Sequence, residues 1–254
     1  AFRFGVALFA AILPLVYVAA SEYHVVGLES AFAGRIYDPD GGVQEAMRLA
    51  ETATRPIVIA DTQDNPGAGG DSNTAGMLRA LIENRAEGAA LGLMADQVAA
   101  EIAHRAGVGA EVNLTLGGHS GVDGDEPFEA LYRVEELHHG RFDATGPFYK
   151  GAEFNLGPSA RVCIGGTEVV LACNKVQMAD QALFRFVGVE PTERKILVNK
   201  SSVHFRADFA PIAEEILVCA APGPMIADPA NLPWRRLRPG IKLNPLGPVW
   251  QGQA

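Results

Sequence analysis

Cysteine is scarce in this 254-residue chain, and the three present, Cys163, Cys173 and Cys219, are an odd number. A fully paired disulfide framework is therefore excluded, and none of the three stands in a CxxC or metal-type spacing. All lie in apolar, strand-like surroundings and read as buried reduced thiols. That favours a reducing compartment such as the cytoplasm. No HExxH, no histidine pair at zinc-finger spacing and no GxSxG elbow occurs. There is no collagen period, heptad run, internal repeat or low-complexity segment. A basic cluster is also missing. With 21 Lys+Arg against 30 Asp+Glu the formal charge is −9, which argues against nucleic acid or an anionic membrane as the main partner.

What is present is globular in character. Apolar residues make up 48% and charged residues 20%, and the length suffices for one large domain or two small ones around a sizeable core. The 28 glycines and 16 prolines predict many loops and tight turns. Residues 1–28 differ from the rest. From Phe4 to Ala20 the chain is continuously apolar, with Pro14 inside, Arg3 before it and Ala-Ala-Ser at its end. Three readings stand: a signal-like or anchoring segment, a fragment or mis-framed start, and a buried core element. Under the first, residues 1–20 would direct export or membrane anchoring.

Beyond this segment the pattern is that of an α/β fold. Val43, Ala46, Met47 and Ala50 recur at helical spacing over residues 41–54, and Pro56 ends that helix. PIVIAD (56–61) reads as a buried strand. A polar loop and the helix NTAGMLRALIENR follow, with Asn73 or Ser72 as its N-cap. AALGLM (89–94) is a second buried strand, and Asp96 caps a helix that ends at Gly107. Strand, loop, helix and strand in this order predict parallel pairing under helices. The middle of the chain (AEVNLTLGG, FEALYRVEEL, GRFDATGPFY, SARVCIGGTEVVLAC) predicts antiparallel strands, with a hairpin at IGG. KILVNK (195–200) and ILVCAAPG (216–223) return to buried strands. The sum is a mixed sheet with parallel strand–loop–helix units and an antiparallel middle section.

Two stretches could carry chemistry. The first runs Asp61-Thr-Gln-Asp64-Asn65-Pro66-Gly67-Ala-Gly69-Gly70-Asp71-Ser72, between a buried strand and a helix start. In open α/β sheets ligands bind beyond the carboxyl ends of strands. No lysine follows the glycines, so this is not a phosphate-binding P-loop, and three aspartates would repel a phosphate. A metal, a ligand ammonium or polar peptide groups suit it better, and an Asx-rich turn that caps its own backbone fits equally. The second stretch, Lys200-Ser201-Ser202-Val203-His204-Phe205-Arg206-Ala-Asp208, also leaves a buried strand. It could orient a carboxylate or carbonyl. Were it helical, Lys200, His204 and Asp208 would share one face as a salt-bridged surface. His104, His119, His138 and His139 read as surface or structural.

The runs IADTQDNPGAGGDSNTAGMLRALIE and VNKSSVHFRADFAPIAEEILVCAAPG resemble the two signatures of the C-terminal domain of the microcystinase C (MlrC) family of metallopeptidases. The resemblance extends from about Tyr37 to Pro245, with Ala68 where the usual form has the middle of three glycines. It implies that residues 29–254 are the C-terminal domain of a zinc-dependent peptidase that hydrolyses peptide bonds in small, linearised cyclic peptides. It implies a separate N-terminal metallopeptidase domain as partner, carrying most zinc ligands, with this chain alone inactive. On that footing Asp64, Asn65, His204 and Arg206 are the candidate catalytic residues. Asp61, Gly67, Gly69, Gly70, Asp71, Ser72, Lys200 and Ser202 would bind a small peptide. Asp64 would face the interdomain cleft and accept a proton from the metal-bound water; the alternative is that it merely fixes its loop. A second class of reading, a non-catalytic binding or assembly domain, needs the loops only to pack on a partner. Self-association is left open.

Overall fold

PIVIAD, AALGLM and KILVNK become neighbours in one sheet. The computed structural model describes residues 27–252, so the apolar opening run and the export or anchoring read from residues 1–20 fall outside the described residues. The described residues divide into two compact units, 36–227 and a smaller one built from 27–35 and 228–252. In the smaller unit Lys242 Nζ and the Leu246 amide both donate to the Glu29 carboxylate, at 2.8 and 2.9 Å.

The larger unit is built on nine strands. Six are parallel: β1 (Ile36–Tyr37), β2 (Ile57–Asp61), β3 (Ala89–Ala95), β9 (Thr167–Ala172), β10 (Ile196–Asn199) and β11 (Glu215–Cys219). Three continue the sheet antiparallel: β4 (Glu111–Leu116), β5 (Phe128–His138) and β8 (Ser159–Ile164). The spatial order is β1-β11-β2-β10-β3-β9-β8-β5-β4. A separate two-stranded ribbon pairs β6 (Arg141–Asp143) with β7 (Glu153–Asn155). The α/β mixed sheet read from the sequence is the fold observed. The IGG hairpin is there too, with Ile164 opposite Thr167 across Gly165-Gly166.

Alternation along each central strand feeds two cores. Ile57 and Ile59 of β2 face one, while Val58 and Ala60 face the other. The first core is covered by α1 (Pro39–Ala50), α2 (Gly76–Glu83) and α3 (Gln97–Ala106). The second is covered by the short helices α4 (Ala182–Arg185) and α5 (Arg206–Phe209) with Phe184, Phe205 and Phe209. Cover on both faces explains why every residue of β2 and of β10 is buried. Among the described residues, no helix is long and apolar enough to cross a membrane.

Helix ends follow sequence chemistry in two cases and depart from it in a third. Asp96 caps α3 by accepting from the Ala99 amide at 2.9 Å, and Gly107 ends it at φ +87°. Asp38 caps α1 at 2.7 Å, which starts that helix at Pro39 rather than Gly41. The helix expected from residue 73 begins instead at Gly76, and neither Asn73 nor Ser72 caps it. Its first amides are taken by carboxylates distant in sequence: Ala75 N–H by Asp125, and Thr74 N–H by Asp64. The helical face of Lys200, His204 and Asp208 does not form, because α5 starts only at Arg206. The three thiols are free, but only Cys219 is buried as read; Cys163 and Cys173 are partly exposed.

Because the α3 cap is a single local hydrogen bond, Asp96→Ala should lower the unfolding free energy by about 1 kcal/mol with an unchanged denaturant slope, read from urea titrations.

Candidate functional site

Strand order decides what meets at the carboxyl end of the sheet. β10 lies between β2 and β3, so the residue that leaves β10, Lys200, emerges beside Asp61, the last residue of β2. Lys200 is fully buried. Its ammonium donates to Asp61 Oδ2 at 2.8 Å, Asp64 Oδ2 at 2.9 Å and the Thr74 carbonyl at 2.8 Å. Asp64, also fully buried, accepts in addition from Ser72 N–H at 2.8 Å, Thr74 N–H at 2.9 Å and the Thr74 hydroxyl at 3.0 Å. The loop 62–75 is thereby wrapped around one carboxylate. Ser72 is held at φ +59° by this bond and by its own hydroxyl, which donates to the Leu93 carbonyl.

The charges in this knot oppose burial unequally. Burial works against the Lys200 ammonium, but the Asp61 and Asp64 carboxylates outweigh it and raise its pKa. Burial pushes Asp64 up, yet the Lys200 charge and the amides of Thr74 and Ser72 hold it below its ordinary value. Asp61 goes the other way: burial, helped by the Asp64 charge, raises it despite Lys200. Its second oxygen, Oδ1, is buried without a hydrogen-bond partner among the described residues, as are both amide atoms of Asn199.

The accessible part of the two loops lies above this knot. Asn65 Nδ2 donates to Ser202 Oγ at 2.7 Å and joins the first loop to the second, while Asn65 Oδ1 accepts from Gly67 N–H at 3.0 Å. Residues 67–69 are exposed. Gly69 sits at φ +95°, where a side chain would be strained, and a Cβ on Gly70 would press within 2.8 Å of the Asn65 nitrogen. Ala68 is exposed and outside the left-handed region, so the alanine is accommodated. Asp71 is at the surface, paired with Lys175 at 2.7 Å. His204 is exposed, stacked on Phe148 at 4.4 Å between ring centres. Its Nδ1 lies 3.2 Å from Gln177 Nε2, which also donates to Ser201 Oγ at 2.9 Å. With the amide donating, Nδ1 accepts and Nε2 carries the proton outward. Arg206 is exposed, its guanidinium 5.6 Å from the Phe205 ring centre.

The residues singled out from the sequence therefore separate into two layers. Asp61, Asp64, Asn65, Gly70, Ser72 and Lys200 are buried; Gly67, Gly69, Asp71, His204 and Arg206 are open to solvent, with Ser202 partly exposed between them. The remaining histidines are peripheral to these loops. His104 bonds the Ser159 carbonyl, and His138 packs edge-on to Phe186. Gln177 and Phe148, which set the ring of His204, carry no spacing signal in the sequence, lying 27 and 56 residues upstream of it. Among the described residues no group of three or more His, Cys, Asp or Glu is arranged to hold a metal ion. The carboxylate pair of these loops, Asp61 and Asp64, already encloses the Lys200 ammonium. The residues here do not fit a zinc site of their own.

The model of the MlrC C-terminus family matches residues 59–236, which takes in both loops. The chain belongs to that family. Microcystinase C of Sphingomonas sp is 24% identical over 184 residues, which are 72% of this chain and 36% of that protein. The crystal structure of a candidate metallopeptidase from Mesorhizobium sp. BNC1 superposes with a TM-score of 0.69 at 24% identity, over 81% of this chain and 40% of that one. That likeness shows a shared fold, and this chain spans well under half the length of either relative.

Removing the ammonium from the knot leaves two buried carboxylates facing each other. Lys200→Met should cost about 3–5 kcal/mol in chemical denaturation. The pH dependence has a definite sign. Asp64, with its lowered pKa, contributes stability that is present above the ordinary carboxylate range and lost as pH falls through its folded value. Asp64→Asn should therefore flatten the acid limb of a plot of melting temperature against pH, whereas Asp61→Asn, at a group raised by burial, should steepen it.

Proposed function

We propose that this chain is the substrate-positioning part of a zinc-dependent peptidase of the microcystinase C type, acting on peptide bonds in small, linearised cyclic peptides. The observation that carries the reading is the convergence of both family signatures at one sheet end, tied by the Asn65–Ser202 hydrogen bond above the Lys200 knot. In this reading the zinc and most of its ligands belong to an N-terminal metallopeptidase domain, which is the partner. This chain supplies groups that bind and orient. The exposed turn at Gly67–Gly69 lets peptide backbone approach closely. His204 Nε2–H and the Arg206 guanidinium are directed donors for a substrate carbonyl or carboxylate. Asp64 has the loop-fixing role, since its oxygens are filled by lysine, amide and hydroxyl donors.

A second reading, an assembly domain whose loops only pack on a partner, is favoured by one observation. Val203 and Phe148, beside the same loops, are 62% and 43% exposed. The two readings part on variants at the open layer, assayed with the chain joined to the N-terminal domain of a family relative and a linear peptide as substrate. His204→Ala or Arg206→Ala should lower kcat about 100-fold, the usual cost of one transition-state donor, with the melting temperature unchanged. Full turnover per assembled complex, with weakened association alone, would decide for packing.

A further inference from the structure

The sheet has two ends, and they differ. β1, at one end, is two residues long; β4, at the other, runs for six residues, Glu111–Leu116. Edge strands in soluble proteins are commonly blunted by lysine, proline, a bulge or brevity. β4 (EVNLTL) has none of these, and its pairing to β5 is regular throughout.

The free hydrogen-bonding groups of β4 can be assigned. Val134 N–H bonds the Ala110 carbonyl at 2.9 Å, and the Val134 carbonyl accepts from Gly109 at 2.8 Å, so Val134 turns both its backbone groups toward the β4 side. Alternation then directs Tyr132, Ala130 and Phe128 the same way, opposite Val112, Leu114 and Leu116. Glu111, Asn113 and Thr115 therefore point their N–H and C=O away from the sheet. No partner for these groups occurs among the described residues. A groove of about 330 Å³ between α3 and β4 has an apolar wall of Val98, Ala99, Ile102 and Leu114 and a polar one of Asp96, Asn113, Thr115 and His119. Val98, Val108 and Leu131, all around this edge, are 66%, 63% and 52% exposed.

We propose that β4 is the interface with a second copy of this chain, the two strands pairing antiparallel about a two-fold axis at Asn113. The self-pairing is complementary along its length. Asn113 faces the partner copy's own Asn113, Glu111 faces Thr115, and Val112 faces Leu114 on the α3 side. No like charges stand opposite, and the three outward residues of each strand exchange six backbone hydrogen bonds in all. The interface continues the sheet across both chains and covers the groove beside α3.

Analytical ultracentrifugation of the 254-residue chain at micromolar concentration tests this. The expected mass is twice 26.9 kDa. Asn113→Lys and Asn113→Glu, at an exposed position, should each fold with the wild-type far-UV circular dichroism yet run as monomers, because each sets like charges face to face only in the pair. Mixing the two variants should restore the dimer. A wild-type monomer, a dimer that survives both substitutions, or variants that stay apart when mixed would each overturn the assignment. The test involves no catalytic readout and is independent of the proposed function.

Discussion

One ammonium group organises the carboxyl end of this sheet. Lys200 reaches back from the exit of β10 to the end of β2, to Asp64 within the first loop and to the Thr74 carbonyl just before α2. Residues 61–74 are thus held by a single side chain that comes from at least 126 residues further along the chain. Taking a lysine and two carboxylates out of water is expensive, and such sets are weak sources of net stability. Their effect is on geometry. A loop with three glycines among four residues would otherwise sample many conformations, and ordering it costs conformational entropy. Here its path is fixed by four donors that converge on the Asp64 carboxylate: the Lys200 ammonium, the Ser72 and Thr74 amides and the Thr74 hydroxyl.

The strand order makes this knot possible. In a sheet wound in simple succession, β2 and β3 would be adjacent. Here β10 is inserted between them, and the chain crosses over twice to place it there. The insertion brings the second signature into hydrogen-bonding range of the first, although Asn65 and Ser202 are 137 residues apart. The polar surface above the knot is consequently rigid at its base and open at its top. This is the division expected where donors must be held still while remaining accessible to a ligand.

Much of this was legible in the residues. Uninterrupted apolar runs such as PIVIAD and KILVNK mark strands buried on both faces, and β2, β3 and β10 follow them closely. Asp96 and Gly107 mark a helix by local chemistry alone, and local chemistry was enough. The misreadings share a cause. Ser72 and Asn73 have the composition of an N-cap, but the amides they would satisfy are claimed by Asp64 and Asp125 from elsewhere in the chain. Lys200, His204 and Asp208 have helical spacing, but the buried carboxylates draw Lys200 inward and leave the next turn irregular. Long-range electrostatics overrode local propensity in both places. Gln177 was illegible for the same reason: its role depends on an approach to His204 that only the folded sheet provides.

The same contrast separates the two ends of the molecule's function. At the carboxyl end of the parallel strands many of the loop's amides are bonded internally, and the exposed side chains beside them include an imidazole and a guanidinium. At the antiparallel edge the side chains are unremarkable and the backbone itself is what remains unpaired. A polar backbone group is too costly to leave unmet in an apolar setting but costs little in water. β4 lies between these limits, its outward groups facing solvent beside exposed Val98 and Val108. Covering the valines alone would strand the backbone groups without partners, and pairing the backbone alone would leave the valines wet. A strand satisfies both demands at once, because it brings a ladder of N–H and C=O together with alternating side chains. The physical constraint therefore selects an extended segment as the cover for this edge, and the self-complementary register about Asn113 selects which one.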